Sequence, residues 1–367
     1  MADPRLVKWA DVLVGYSVEV APGQTVAIQG GVSAAPLLRE IYRAVLARGG
    51  FPIMLPSLDG VGADLLRDGT DDQLQFISPV ERFVRTEVDI AIQVMAETNT
   101  KRLNSVDPSR QRVFQTARRD LFDTFMQRSA DGSMDWTLTL WPTDSYAQDA
   151  DMDTAEYTEF VLAACKLDQP DPVAAWLALK AEQQRLIDWL DGKQEVHLVG
   201  PEIDLTLSIA GRTWINSDGK RNFPSGEIFT GPVEDSVNGT IRFSFPVVTS
   251  GREIADIRLR FENGKVTDAS AAKNEEFLIQ TLDTDDGARI LGEFAFGTNF
   301  SITRFTKNIL FDEKIGGTVH MAVGSGYPET GSTNQSAVHW DMICDLRQGG
   351  RVDVDGQPFM RDGSFVV

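Results

Sequence analysis

The sequence predicts an α/β N-terminal domain with a largely parallel sheet, followed by a mainly β (α+β) C-terminal domain. Three observations carry this. Short apolar runs alternate with helix-periodic segments through the first half. Beyond about residue 194 the pattern changes to brief period-two segments punctuated by Gly, Asn, Asp and Pro. The length of 367 residues also exceeds what one core ordinarily covers, so two domains are expected, 1–193 and 194–367.

The elements follow in order. Thr25 to Gly30 is an apolar run bounded by glycines and reads as a buried strand. Ala34 to Ala47 places Leu37, Leu38, Ile41, Tyr42, Val45 and Leu46 at helical spacing and ends at Gly49–Gly50. Phe51 to Leu55, Val88 to Met95 and Asp135 to Trp141 read as further strands, with a helix from Arg110 to Gln127 between the last two. Strand–helix–strand repetition points to parallel pairing. A helix over Pro172 to Leu190, with Asp171 at its cap and Gly192 beyond its end, closes the first domain. In the second, Val196 to Val199, Asp204 to Ile209, Gly239 to Phe245 and Ile257 to Phe261 read as strands. Asn263–Gly264 predicts a hairpin, and Glu275 to Thr284 is the one helix.

Bulk properties exclude several function classes. Hydrophobic content of 42% and charged content of 24% describe a globular protein. No apolar run reaches membrane-spanning length, and Met1 to Val14 mixes Asp3, Arg5, Lys8 and Asp11 into its apolar residues, unlike a secretory leader. With only Cys165 and Cys344 available, a disulfide framework is not expected, and a cytoplasmic location follows. A net charge of -19 argues against nucleic acid as a partner.

Three histidines occur, His197, His320 and His339. His339–Trp340–Asp341 on a strand would present an imidazole and a carboxylate on one face, a donor set suited to zinc, cobalt, manganese or iron. By itself such a pair is more often a hydrogen-bonded pair on a strand. His320 falls on the small, polar face of Thr318 to Val323, and the glycine-rich stretch after that strand puts Tyr327 on a loop nearby. His197 has no carboxylate at matching spacing and reads as a structural or surface residue.

From Leu291 to Arg347 the chain resembles the thermophilic aminopeptidase T family, which includes aminopeptidases S and II. The matching text is LGEFAFGTN and then ILFDEKIGGTVHMAVGSGYPETGSTNQSAVHWDMICDLR. NFPSGEIFTGPVEDSVNG and YSVEVAPGQTVAIQG extend the likeness over nearly the whole length. The resemblance implies a metal-dependent aminopeptidase acting on peptides with a free N-terminus. It implies two divalent ions per chain (zinc, cobalt, manganese or magnesium) bound by Glu227, Glu293, His320, Tyr327, His339 and Asp341. Glu293 is expected to bridge the ions, and Tyr327 to serve catalysis with it. Ser332 departs from the family pattern, where a second glycine after Gly331 is common. Glu234, Asp235, Asp312, Glu313 and Glu329 are expected to support the site rather than act in it. The family's dimerisation implies a homodimer, for which Phe294, Phe296, Phe300 and Phe305 are candidate surface, with buried core the preferred reading for all four.

Three other readings stay open at this point. A mononuclear iron ring-cleaving dioxygenase on the same scaffold needs only two histidines and one carboxylate, fewer donors than are present. A phosphate site at Gln29 to Ser33 lacks the required glycine spacing. A non-catalytic metal-binding protein would have no reason to keep six converging polar residues.

Overall fold

The computed structural model describes residues 3–249 and 252–367, which form two compact units. The first comprises residues up to Val173 together with Gly219–Pro224; the second comprises Ala174–Asp218 and Ser225–Val367.

In the first unit, β1 (Thr25–Gly31), β2 (Phe51–Ser57), β3 (Ile90–Met95) and β4 (Asp135–Leu140) are all parallel, in the order β2-β1-β3-β4. The returning segment adds the two-residue strand Asn222–Phe223 beside β4. Nine helices are described here: α1 (Pro4–Val12), α2 (Ala35–Ala47), α3 (Val61–Asp68), α4 (Asp71–Gln75), α5 (Pro79–Thr86), α6 (Pro108–Ala117), α7 (Arg119–Ala130), α8 (Asp144–Asp149) and α9 (Thr154–Ala164). The parallel α/β character is the one predicted. The helix expected over 110–127 is instead two, broken at Arg118, whose guanidinium leaves the helical register to bond the carbonyls of Leu74 and Phe114 and the Glu81 carboxylate.

The second unit takes in α10 (Pro172–Leu190) from Ala174 onward. Leu186 and Leu190 enter this unit's core, and Gln183 donates to the Glu227 carbonyl at 2.8 Å and to Thr298 Oγ1 at 3.0 Å. Then come β5 (Glu195–Gly200), β6 (Ile203–Ser208) and β7 (Ile215–Ser217). Counting the short strand of the first unit as β8, the remaining strands are β9 (Glu227–Thr230), β10 (Asn238–Arg242), β11 (Val247–Thr249), β12 (Arg252–Ile254), β13 (Arg258–Glu262) and β14 (Lys265–Ser270). After α11 (Glu275–Leu282) follow β15 (Leu291–Gly297), α12 (Ile309–Asp312), β16 (Thr318–Gly324), β17 (His339–Asp345), β18 (Arg351–Val354), β19 (Gln357–Arg361) and β20 (Ser364–Phe365). The predicted hairpin joins β13 to β14, with Asn263 and Gly264 both at positive φ, as a type I′ turn demands.

These strands form an eight-stranded sheet, β14-β13-β10-β6-β5-β18-β19-β20, and a five-stranded sheet, β17-β16-β15-β9-β7. Pairing within both is antiparallel. One apolar cluster draws side chains from both sheets: Leu198, Leu205, Ile241 and Phe359 from the larger, Phe294, Phe296, Met321 and Met342 from the smaller. Phe294 and Phe296 are therefore core, the preferred reading, and not available to a partner chain. Phe300 is exposed and Phe305 half-buried.

The small sheet has a second face, and its register decides what stands there. Cross-strand partners share a face, so Glu293, Ala322 and Asp341 form one row, and Ala295, His320 and Ile343 the next. Leu291 pairs with Val323 while Glu293 pairs with Ala322, so a bulge at Gly292 switches parity. Leu291 can then face the core while Glu293 faces away from it. Only glycine serves there, because an added Cβ would stand 2.4 Å from the Gly324 carbonyl oxygen.

Candidate metal centre

The non-core face of the small sheet gathers acids and imidazoles around small residues. Ala295 and Ala322 are fully buried and leave room above the sheet for their longer neighbours. Glu227 starts β9, opposite Gly297. It is preceded by Gly226 at φ 121°, where any Cβ would collide with Asn299, so the chain enters the strand along a path restricted to glycine. Glu293 comes from β15, His320 from β16, and His339 and Asp341 from β17, two residues apart on one face.

The side chains converge closely. His320 Nε2 lies 3.3 Å from Glu227 Oε2 and 3.4 Å from Glu293 Oε1. His339 Nε2 lies 3.2 Å from Glu293 Oε2 and 3.7 Å from Asp341 Oδ1. Donor atoms of Glu227, Glu293 and His320 fall within 4.8 Å of one another, and so do those of Glu293, His339 and Asp341. Glu293 belongs to both groups. The His339 ring is oriented by Nδ1, 2.8 Å from the Ser325 carbonyl oxygen; Nδ1 thus carries the hydrogen in the neutral ring, and Nε2 turns its lone pair towards the cluster.

Tyr327 stands just past β16, as predicted. Its ring centroid lies 5.1 Å from that of His339 and 5.4 Å from that of Phe229. Burial and the surrounding carboxylates push its hydroxyl pKa up, so it stays a donor at every physiological pH. The loop beyond it is held by Glu234, which accepts from Thr333 N at 2.7 Å and Ser332 Oγ at 3.3 Å and pairs with Arg212. Ser332 thus uses its hydroxyl to anchor the loop. Asp312 is spent on Thr306, accepting from its N at 2.7 Å and its Oγ1 at 2.8 Å, and burial pushes its carboxyl up to about 8. Asp235 and Glu329 are exposed.

Two residues here carry more weight than their sequence context suggested. The Glu313 carboxylate groups with His320 and Asp341 within 4.8 Å, a third donor set. Lys314 is wholly buried, pairing with Glu313 and standing 3.7 Å from Glu227 Oε1. Burial works against the charge on Lys314, but Glu227 and Glu313 outweigh it and raise its pKa. Asp-Glu-Lys before a paired glycine was the available signal, and nothing in that string tells which of the three turns inward. His197 sits apart from this face, 2.8 Å from Asp204 on the neighbouring strand. Cys344 is buried beside Ser244, with its thiol pushed up to about 12 by burial, and offers no thiolate.

The electrostatics suit a cation. Four carboxylates face one lysine and two imidazoles, and Glu227 Oε2 and His320 Nδ1 are buried without a hydrogen bond. Burial raises the Glu227 carboxyl, against the pull of Lys314, and raises Asp341 against the pull of His339. Burial would raise Glu293 too, but its two imidazole hydrogen bonds win and hold it low. Carboxylates this close destabilise one another without an intervening positive charge. The mixed imidazole and carboxylate set fits borderline-to-hard divalent ions.

Comparisons with known proteins agree with this chemistry. The family model described as thermophilic metalloprotease (M29) matches residues 2–365. Aminopeptidase 2 of Geobacillus stearothermophilus is 31% identical, over 99% of this chain and 98% of that one. Aminopeptidase T of Thermus aquaticus is 33% identical over 56% of this chain and 58% of its own length. Among solved structures, wild-type AmpT from Thermus thermophilus superposes with a TM-score of 0.87 at 24% identity, covering 99% of each chain. A 2,5-dihydroxypyridine dioxygenase from Pseudomonas putida KT2440 does so with 0.61 at 13% identity, over 100% of this chain and 98% of that one. Both structural likenesses speak to the fold.

Proposed function

The chain belongs to the thermophilic metalloprotease family M29, and on that premise we propose that it is a two-ion aminopeptidase, releasing the N-terminal residue of peptides. Glu227, Glu293 and His320 would hold one ion and Glu293, His339 and Asp341 the other, with the Tyr327 ring beside His339. The observation that carries this reading is the membership of Glu293 in both donor groups. A mononuclear iron dioxygenase would need no such shared carboxylate.

When bound, the ions polarise the scissile carbonyl and lower the pKa of a coordinated water from ~15.7 towards ~7. The chain's own groups do the rest. Tyr327 donates its hydroxyl hydrogen to the oxyanion that develops on the carbonyl. Glu313, paired with Lys314 and facing His320 and Asp341, takes the proton of the attacking water and returns it to the leaving amine. Lys314 sets a buried positive charge beside Glu227 and Glu313. The substrate's free α-amine enters a field set by a net charge of -19.

Zinc, cobalt, manganese and magnesium all suit the donors. Cytoplasmic location and a homodimer complete the proposal: both cysteines are buried and neither is in a disulfide, and no described helix is long and apolar enough to cross a membrane. Of the four candidate phenylalanines, Phe300 is the exposed one and could meet a partner copy.

The deciding experiment pairs metal content per chain with hydrolysis of aminoacyl-p-nitroanilides before and after chelation. Two ions per chain and activity lost on chelation, then restored by metal, are expected. One iron per chain with no amino acid released would favour the dioxygenase reading. A Glu313→Gln variant with both ions and full turnover would end the role given to Glu313.

A further inference from the structure

The metal-binding face continues into a recess of about 180 Å³. Much of its lining is apolar, with Val247 and Val248 from β11, Phe305, Ile309 and Ile343, and Thr249, Lys307 and Asp312 add polar groups. His339 and Asp341 form one wall. The register explains the continuity, since Ile343 pairs with His320 across the strands and follows Asp341 by two residues on the same face. The floor is firm: Ile343 is buried, and Phe305 stacks on Phe245 with centroids 4.7 Å apart and planes 6° from parallel. Ile309, exposed at 45%, lines the recess although a side chain of its kind is ordinarily covered.

We propose that this recess receives the side chain of the substrate's N-terminal residue and makes the protein selective for peptides that begin with an uncharged aliphatic residue. The inference rests on the aminopeptidase reading and adds the substrate class to it. The α-amine and the scissile carbonyl both attach to the carbon that carries this side chain. With those two groups held at the ions, the side chain must leave the site within a bond or two of the ligands. The recess is mainly apolar and has two of those ligands as its wall. A charged side chain entering it would shed water and meet mainly hydrocarbon, a costly exchange. Lys307 lies in the lining and Asp312 is occupied by Thr306, so a glutamyl substrate separates a recess that reads charge from one that reads apolar bulk.

The test uses the metal-loaded full chain and kcat/KM for glycyl, alanyl, 2-aminobutyryl, norvalyl, leucyl, glutamyl and lysyl p-nitroanilides. The values should climb from glycyl to norvalyl, by roughly 10-fold for each methylene that becomes buried, with glutamyl and lysyl far below leucyl. Val248→Trp, which fills the recess, should cut the leucyl-to-alanyl ratio by about 10-fold or more with two ions still bound. Ile309→Trp at the exposed rim should do the same and serves if Val248→Trp does not fold. A flat series, a preference for glutamyl or lysyl, or an unchanged ratio in a folded variant overturns the assignment while leaving the aminopeptidase reading intact. Failure of the metal-loaded wild type on every substrate overturns both.

Discussion

Glu293 stands between two imidazoles, its Oε1 3.4 Å from His320 Nε2 and its Oε2 3.2 Å from His339 Nε2. Each end of one carboxylate thus faces its own histidine and its own second acid, Glu227 or Asp341. Glu293→Gln keeps the shape and removes the charge and one oxygen. Because groups that merely orient metal ligands are worth about 10–100-fold in affinity or activity, loss of a shared ligand should cost more than about 100-fold in kcat/KM. Bound metal should fall below two ions per chain after dialysis. Full metal content with wild-type turnover would remove Glu293 from the bridging position.

Metal uptake should release protons. In the metal-free chain burial opposes imidazolium, but the Glu293 hydrogen bond and the charges of Glu227 and Asp341 prevail, raising His320 to about 9 and His339 to about 10. Both are protonated at pH 7, and a metal ligand must give up that proton. Calorimetric binding enthalpies should differ between buffers of unlike ionisation enthalpy, corresponding to up to two protons released, and affinity should rise with pH. Folding carries the same sign. These raised pKa values stabilise the metal-free fold fully below the unfolded value near 6.5, and that stability is lost as pH climbs through 9 to 10. A metal-free melting temperature that rises between pH 7 and 10 would contradict the assignment.

Tyr327→Phe tests the oxyanion contact with little disturbance to packing, because the ring contacts with His339 and Phe229 remain. Loss of one such donor typically costs about 10²–10³ in turnover. The expected result is that loss in kcat with two ions still bound. Unchanged kcat and metal content would leave Tyr327 as a packing residue.

Lys314→Met removes the buried cation that faces Glu227 and Glu313. Breaking a buried pair by deleting one partner costs about 3–5 kcal/mol, because the other charge is left uncompensated. Urea unfolding of the metal-free variant should show a loss of that order. Added divalent ion brings positive charge to the same carboxylates, so it should stabilise the variant more than the wild type. Equal metal-induced stabilisation of the two would show that Lys314 and the ions do not share these acids.

The placement of His339 and Asp341 on one face was legible because they lie two apart on a strand, while Glu227 and Glu293 came only from the family resemblance; the parallel α/β pattern of the first unit shows in periodicity alone. Other features were not legible, for physical reasons. The break at Arg118 depends on carbonyls more than 40 residues away, at Leu74 and Phe76. Glu313 and Lys314 sit in a short turn where no period says which side chain turns inward. The placement of Glu293 depends on a bulge that switches parity within a strand. The room for metal is set by residues with no chemistry of their own, and only the register identifies them.

Ala322 tests that last point. It lies directly between Glu293 on one neighbouring strand and Asp341 on the other, and it is fully buried on the ligand face. A leucine there would raise a branched side chain among the donor atoms. Overpacking of this kind typically costs about 1–3 kcal/mol, which a two-unit fold with a separate core on the opposite face should survive. Ala322→Leu should therefore fold, with native circular dichroism and a melting temperature lowered by several degrees, yet bind no second ion and hydrolyse no aminoacyl-p-nitroanilide. Ala322→Gly, which leaves the space open, should keep both ions. If the leucine variant retains two ions and wild-type turnover, the carboxylates and imidazoles do not meet above Ala322, and the metal centre must be sought elsewhere in the chain.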